Sequence, residues 1–111
     1  MTRSTIRPRT DRNHQEIMKG LRLHGVSVQS LVKVGDGCPD LLCGHDAKNW
    51  LLEIKDGDQS PSRRRLTEDE IRWHAKWKGR VDVVESLDEA LALLGVKKAT
   101  LQPGKPGRKP R

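Results

Sequence analysis

Between Asp11 and His24 the positions His14, Ile17, Met18 and Leu21 recur at three- and four-residue spacing, the period of one helix face, and Gly25 offers a C-terminal stop. The period then changes. From Val26 to Val34 the even positions Val26, Val28, Ser30, Val32 and Val34 alternate with Ser27, Gln29 and Lys33, which predicts a half-buried strand broken by Gly35-Asp36-Gly37. Two short apolar runs, Pro39–Cys43 and Trp50–Lys55, flank the polar stretch Gly44–Asn49 and read as a hairpin. Gly57–Arg65 is polar, carries Pro61 and reads as a loop. Thr67–Lys78 predicts a second helix, opened by a capping box of Thr67 with Glu70 and stopped by Gly79. Its Trp73 and Trp77 share a face and are expected in the core, because the chain has few other large residues. Val81–Glu85 predicts a fourth strand. Ser86 with Glu89 forms another capping box, opening a helix whose Leu87, Ala90, Leu91 and Leu94 face one way as far as Gly95. The order of helix, three strands, helix, strand, helix predicts an α/β or α+β domain on a small mixed sheet.

Composition narrows this to one domain. The chain has 111 residues, no Phe, no Tyr and three Trp, so Leu, Val, Ile and the tryptophans must build a single modest core. The net charge of +7 is unevenly spread. Nine of the 22 basic residues lie in residues 1–9 and 96–111, which hold no acid, leaving thirteen against fifteen acids in between, a net of −2. A basic N-terminal arm (1–10), a folded domain (11–95) and a disordered basic tail (96–111) are therefore expected, the arms suiting sequence-independent attraction to phosphates. Solubilising ends are the plain alternative. The chain lacks a run of about 20 apolar residues and its start lacks an apolar signal core, so a cytoplasmic location is expected. Cys38 and Cys43 lack the paired spacing of a structural zinc site and are expected as buried or half-buried free thiols.

The hairpin carries the candidate chemistry. Alternation puts Leu51, Glu53 and Lys55 on one face of the strand and Trp50, Leu52 and Ile54 on the other. A four-residue loop, His45–Lys48, pairs Gly44 with Asn49 and sets Asp40 opposite Glu53. Like charges so placed repel. A divalent cation shared by both carboxylates, a shared proton, or splaying into solvent would each relieve the repulsion. Oxygen-only ligands suit Mg²⁺, with Mn²⁺ as a substitute, and Lys55 one pleat away would serve an attacking water or the phosphorus: metal-assisted phosphodiester hydrolysis. Spacing alone is equally consistent with an ordinary surface hairpin bearing a Glu–Lys pair.

Gly37-Cys38-Pro39-Asp40-Leu41 followed by Glu53-Ile54-Lys55 resembles the Pro-Asp…Glu-x-Lys signature of the PD-(D/E)xK nucleases. Leu66-Thr67-Glu68-Asp69-Glu70-Ile71-Arg72-Trp73 is similar to the Leu-Ser/Thr-x-x-Gln-x-x-Trp segment of the VRR-NUC branch, with its small stand-alone phage-type members. The likeness spans about residues 11–95 in one order. It implies a restriction-endonuclease-like core of order α-β-β-β-α-β-α around a four-stranded mixed sheet. It further implies that Asp40 and Glu53 hold metal, that the Ile54 carbonyl adds a ligand, that Lys55 serves the nucleophile, and that the first helix supplies an acid, for which Glu16 is the best candidate. The family's second-helix Gln is Glu70 here, a residue the capping box already explains.

Arg63, Arg64 and Arg65 follow the Glu-x-Lys strand and are expected to contact phosphates, with Arg72 and Lys76 extending the track. His74 shares a face with Glu70 and is not assigned as a base. The expected activity is a metal-dependent DNA endonuclease, including action on flapped, branched or four-way junction DNA in the manner of Holliday-junction resolvases, and working as a homodimer. The alternatives are a non-catalytic DNA-binding module on the same fold and a small regulatory factor whose tails bind acidic partners.

Overall fold

A computed structural model of the chain describes residues 13–97. The expected N-terminal arm, the predicted helix start at Asp11 and the tail from residue 98 onward lie outside the described residues. Helix α1 (His14–Leu23) follows Asn13 and buries Ile17, Met18 and Leu21. It ends at His24, whose N–H bonds back to the Gly20 and Leu21 carbonyls, and Gly25 at φ 85° turns the chain.

Strand β1 (Ser27–Ser30) is shorter than its alternation predicts, and Val32–Val34 form a 3-10 turn. The reason lies in its partner. β1 pairs antiparallel with β2 (Leu41–His45) as far as Ser30 opposite Leu41, and the Leu31 N–H still reaches the Asp40 carbonyl at 2.7 Å. There the ladder stops, because the Asp40 N–H that would answer Leu31 bonds instead to the Leu52 carbonyl on the other side of the strand (3.0 Å).

β2 and β3 (Lys48–Ile54) form the hairpin in the expected register, with Gly44 opposite Asn49 and Leu41 opposite Leu52. Pairing runs one step further, to His45 opposite Lys48. The loop is thus a two-residue turn of Asp46 and Ala47, both at positive φ (56° and 63°), the type I′ geometry whose twist matches that of the strands.

A one-turn helix α2 (Pro61–Arg64) stands where a loop was expected. Pro61 at its first position presets φ, and the Arg63 and Arg64 N–H groups bond to the Ser60 carbonyl. Helix α3 (Glu68–Lys76) has the anticipated capping box, with both reciprocal bonds between Thr67 and Glu70 present, and Trp77 turns extended two residues before Gly79. β4 (Asp82–Val84) runs parallel to β3, and α4 (Leu87–Leu94) opens on Ser86 and closes on left-handed Gly95.

The sheet order is β1-β2-β3-β4, antiparallel except for the last pair, a four-stranded mixed sheet in an α/β domain. One face carries Leu41, Cys43, Trp50, Leu52, Ile54 and Val84 and is covered by α1 and α4, which supply Ile17, Leu21, Ala90, Leu91 and Leu94 to the same core. Gly20 is where these helices meet, since a Cβ there would stand 2.3 Å from a Leu87 methyl. Val96, counted with the tail by composition, packs on this core.

The other face, with Leu42, Leu51, Glu53 and Lys55, is only partly covered, by α3 and the loop before β2. Gly37, at φ 84°, lies so close to α3 that a Cβ would meet the Asp69 carbonyl oxygen at 2.3 Å. Trp73 and Trp77 sit on this side, outside the core expected to hold them. Trp73 is half-buried and Trp77 46% exposed. α3 brings too few apolar residues to seal the face, and Ile71 is itself exposed. No helix among the described residues is long and apolar enough to cross a membrane.

Candidate active site

Asp40 stands at the entry to β2, where the hairpin ladder slips. Its N–H bonds to the Leu52 carbonyl (3.0 Å), one residue out of register, and its Oδ2 takes the Ile54 N–H at 2.7 Å. The side chain thereby replaces a ladder carbonyl and is fixed against β3. Glu53 is 2% exposed, and its Oε1 has no hydrogen-bond partner among the described residues. Lys55, also buried, holds its Nζ 3.7 Å from Glu53 Oε2 and 2.9 Å from Glu70 Oε1. Glu70 Oε1 also accepts the Thr67 N–H at 2.8 Å, so one carboxylate both caps α3 and positions Lys55. The capping box and the site, alternatives at the level of sequence, are the same contact.

The electrostatics follow from this crowding. Burial, then the Asp40 and Glu70 charges, push the Glu53 carboxyl up to about 9. Burial also raises Asp40, against the Ile54 N–H bond and the nearby His14. For Glu70 burial acts upward as well, but the hydrogen bonds from Lys55 and Thr67 prevail and its carboxyl lies below the usual range. Burial and the two carboxylates raise the Cys38 thiol, and burial takes Cys43 to about 11, so both cysteines are free, unactivated thiols.

The Ile54 carbonyl is oriented by its peptide. Lys55 N–H bonds to the Val84 carbonyl on β4 (2.9 Å), and a trans peptide turns the preceding C=O the opposite way, toward the side of β3 where Asp40 lies.

Glu16 is placed elsewhere. It is exposed and lines a cavity of about 590 Å³ with Asp56, Asp58, Glu85 and Glu89, a set that includes neither Asp40 nor Glu53. The α1 side chain that faces the Asp40 charge is His14, 3% exposed, with Nδ1 unpartnered among the described residues. Sequence contained the signal: His14 occupies the apolar stripe with Ile17, Met18 and Leu21, and a polar residue on that stripe faces inward. Asn13 beside it fastens this end of α1 to the strand ends through the Lys55 and Glu85 carbonyls, at 3.3 and 3.0 Å.

Of the basic residues, Arg63 and Arg65 are exposed, whereas Arg64 is half-buried and paired with Glu85 at 3.3 Å. Arg72 pairs with Asp69, and Lys76 is exposed on α3. His74 has Nε2 buried and unpartnered among the described residues.

Asp40, Glu53, Lys55 and Glu70 thus come together, with His14 behind Asp40. Among the described residues no three His, Cys, Asp or Glu side chains form a ready cage for a metal ion. Comparison of the chain with protein-family models, with curated proteins and with solved structures finds no match in any of the three.

Proposed function

We propose that the chain is a metal-dependent DNA endonuclease of the PD-(D/E)xK type, with a restriction-endonuclease-like core and Asp40, Glu53 and Lys55 at its site. The observation that carries this reading is the buried, unpartnered Glu53 Oε1 beside a second carboxylate and a lysine. Burying that oxygen without a partner costs about 1–3 kcal/mol or more, a cost that a ligand to it removes.

The donor set fits a hard cation. Asp40, Glu53 and the Ile54 carbonyl are all oxygen donors, and an incomplete protein cage is what Mg²⁺ tolerates, since it keeps waters and takes substrate phosphate oxygens. Bound there, the cation would lower the pKa of a water and offset charge on the phosphate. The protein's own contribution is positional. The Ile54 N–H fixes Asp40, and Glu70 fixes Lys55, leaving its ammonium to donate to the attacking water or to a phosphate oxygen. In the hydrolysis the water oxygen bonds to phosphorus, the bond from phosphorus to the leaving sugar oxygen breaks, and the water's proton ends on that oxygen.

Exposed Arg63, Arg65 and Lys76 supply phosphate contacts in this reading, and the basic ends add sequence-independent attraction. Cutting both strands calls for two sites, hence a homodimer. The test is a panel of linear, flapped and four-way DNA with Mg²⁺ or Mn²⁺. Wild type is expected to cut at least one of them and Lys55→Ala to lose activity by 10²-fold or more, on the order of one transition-state electrostatic contact. A panel left uncut, with metal binding unaltered by Asp40→Ala, would sink the proposal. DNA binding without cleavage, indifferent to Glu53→Ala, would make the protein a binding module.

A further inference from the structure

Beside the candidate site lies an apolar groove of about 610 Å³, lined by Leu31, Val34, Leu42, Leu51, Trp73 and Trp77. We propose that this groove receives an unpaired nucleobase stacked on Trp77, so that the nuclease proposed above, on which this inference rests, acts on DNA with single-stranded nucleotides next to the cut.

The two indoles stack on each other, with centroids 4.6 Å apart and planes at 19°. Trp73 therefore covers one face of Trp77, while Trp77 remains 46% exposed. Trp77 thus has one face held by Trp73 and much of the ring in water, and an aromatic platform at this exposure is what a base requires.

The groove adjoins the catalytic cluster along two elements. Leu51 precedes Glu53 by one pleat on the same strand face, a step of about 6.6 Å. Trp73 follows Glu70 by one turn of α3. Cys38 lines the groove and lies within reach of the Asp40 and Glu53 charges. A nucleotide in the groove therefore sits next to a phosphate at Lys55.

Charge selects the occupant. From residue 72 to residue 80 the chain carries Arg72, Lys76, Lys78 and Arg80 with no acid, and all four are exposed. Arg72 and Arg80 have acidic neighbours in Asp69 and Asp82, which temper the run without cancelling it. A second copy seated symmetrically here would bring this basic run against itself, and an apolar peptide would leave the cations unused. A single strand uses both features, base on indole and phosphate on cation. Duplex DNA keeps its bases stacked inside and cannot reach the indole.

The test uses the full chain in EDTA, where binding is read without cleavage, by anisotropy of a labelled oligothymidylate and of a duplex of equal length, together with tryptophan quenching of the wild type. The single strand is expected to quench. Trp77→Ala should weaken it about tenfold or more and Trp77→Phe much less, with duplex affinity unchanged in both. Equal single-strand affinity of wild type and Trp77→Ala, tighter binding of duplex, or a dimer that Trp77→Ala dissolves would each overturn the inference. Circular dichroism and melting of the variants guard against misfolding, and Trp77→Phe keeps the inference testable if Trp77→Ala unfolds. Cleavage with an unchanged Trp77→Ala affinity overturns the groove alone. Oligothymidylate binding that needs Trp77, in a protein that cuts nothing, overturns the nuclease reading alone.

Discussion

Glu53 shows at a single residue what the site costs the fold. Its carboxyl titrates near 9 in the folded chain, against about 4.5 for the free side chain, because burial and two carboxylate neighbours oppose its charge. Between those values the folded state holds a proton that the unfolded state has released, so stability is full below about pH 4.5 and declines as pH rises toward 9. Asp40, also raised, adds in the same direction, whereas Glu70, lowered, acts only in acid. The metal-free protein is therefore expected to melt at lower temperature at pH 8.5 than at pH 5.5. Glu53→Gln should flatten that slope and raise the melting temperature at pH 8.5. Added Mg²⁺ should stabilise wild type at pH 8.5 and leave Glu53→Gln unmoved, because only a ligand that prefers the folded state shifts its melting. A variant whose pH profile runs parallel to wild type would place the effect elsewhere. At the level of residues the sequence points to Asp40, Glu53 and Lys55 because strand alternation fixes which side chains share a face. It points to Glu16 where α1 turns His14 inward, because the motif asks for an acid and the apolar stripe offers a different polar residue.

Among the elements, the hairpin is legible to the residue pair, and its turn is not. Register follows from burial: a one-residue slip would send Leu41, Leu52 and Ile54 to the wrong face. The expected loop is one pair too long because Ala47 disguises the turn. Type I′ geometry favours Asn-Gly or Asp-Gly, and here Ala stands in the second position at φ 63°. Ala47→Gly is accordingly expected to raise stability by about 0.5–1 kcal/mol in urea unfolding, with relief of the left-handed strain exceeding glycine's entropy cost. A loss of stability would mean that the turn is not held in this form. β1 departs in the opposite way. Its alternation continues through Val34, but a strand extends only as far as its neighbour offers N–H and C=O groups, and Asp40 turns its N–H away to the Leu52 carbonyl. α3 is legible in its capping box, yet the same Glu70 anchors Lys55, a double role that no local pattern encodes.

At the scale of the molecule, charge and packing divide the chain differently. The described domain has an apolar side built by α1 and α4, and a side on which Glu53 and Lys55 are buried beside α3 while the Trp73–Trp77 groove stays open. Basic charge is concentrated toward the ends of the sequence, and truncation after Lys97 removes five basic residues and no acid. If DNA binds as proposed, that truncation should make the dependence of log affinity on log salt shallower, by up to about 0.9 for each phosphate that is no longer neutralised, while the folded domain melts unchanged. An identical salt slope would assign the DNA contacts to the domain alone.

By itself the sequence determined the order of the longer elements, the hairpin register from Leu41 onward and the shared face of Glu53 and Lys55, because these follow from periodicities of 2 and 3.6 residues and from caps that act within a few positions. Only the tertiary structure decided that Glu70 grips Lys55, that His14 rather than Glu16 lies behind Asp40, and that Trp73 and Trp77 stand outside the core. Each of these depends on how far a helix, once formed, covers a given sheet face. That is settled by volumes and charges brought together from distant parts of the chain, which no local pattern can record.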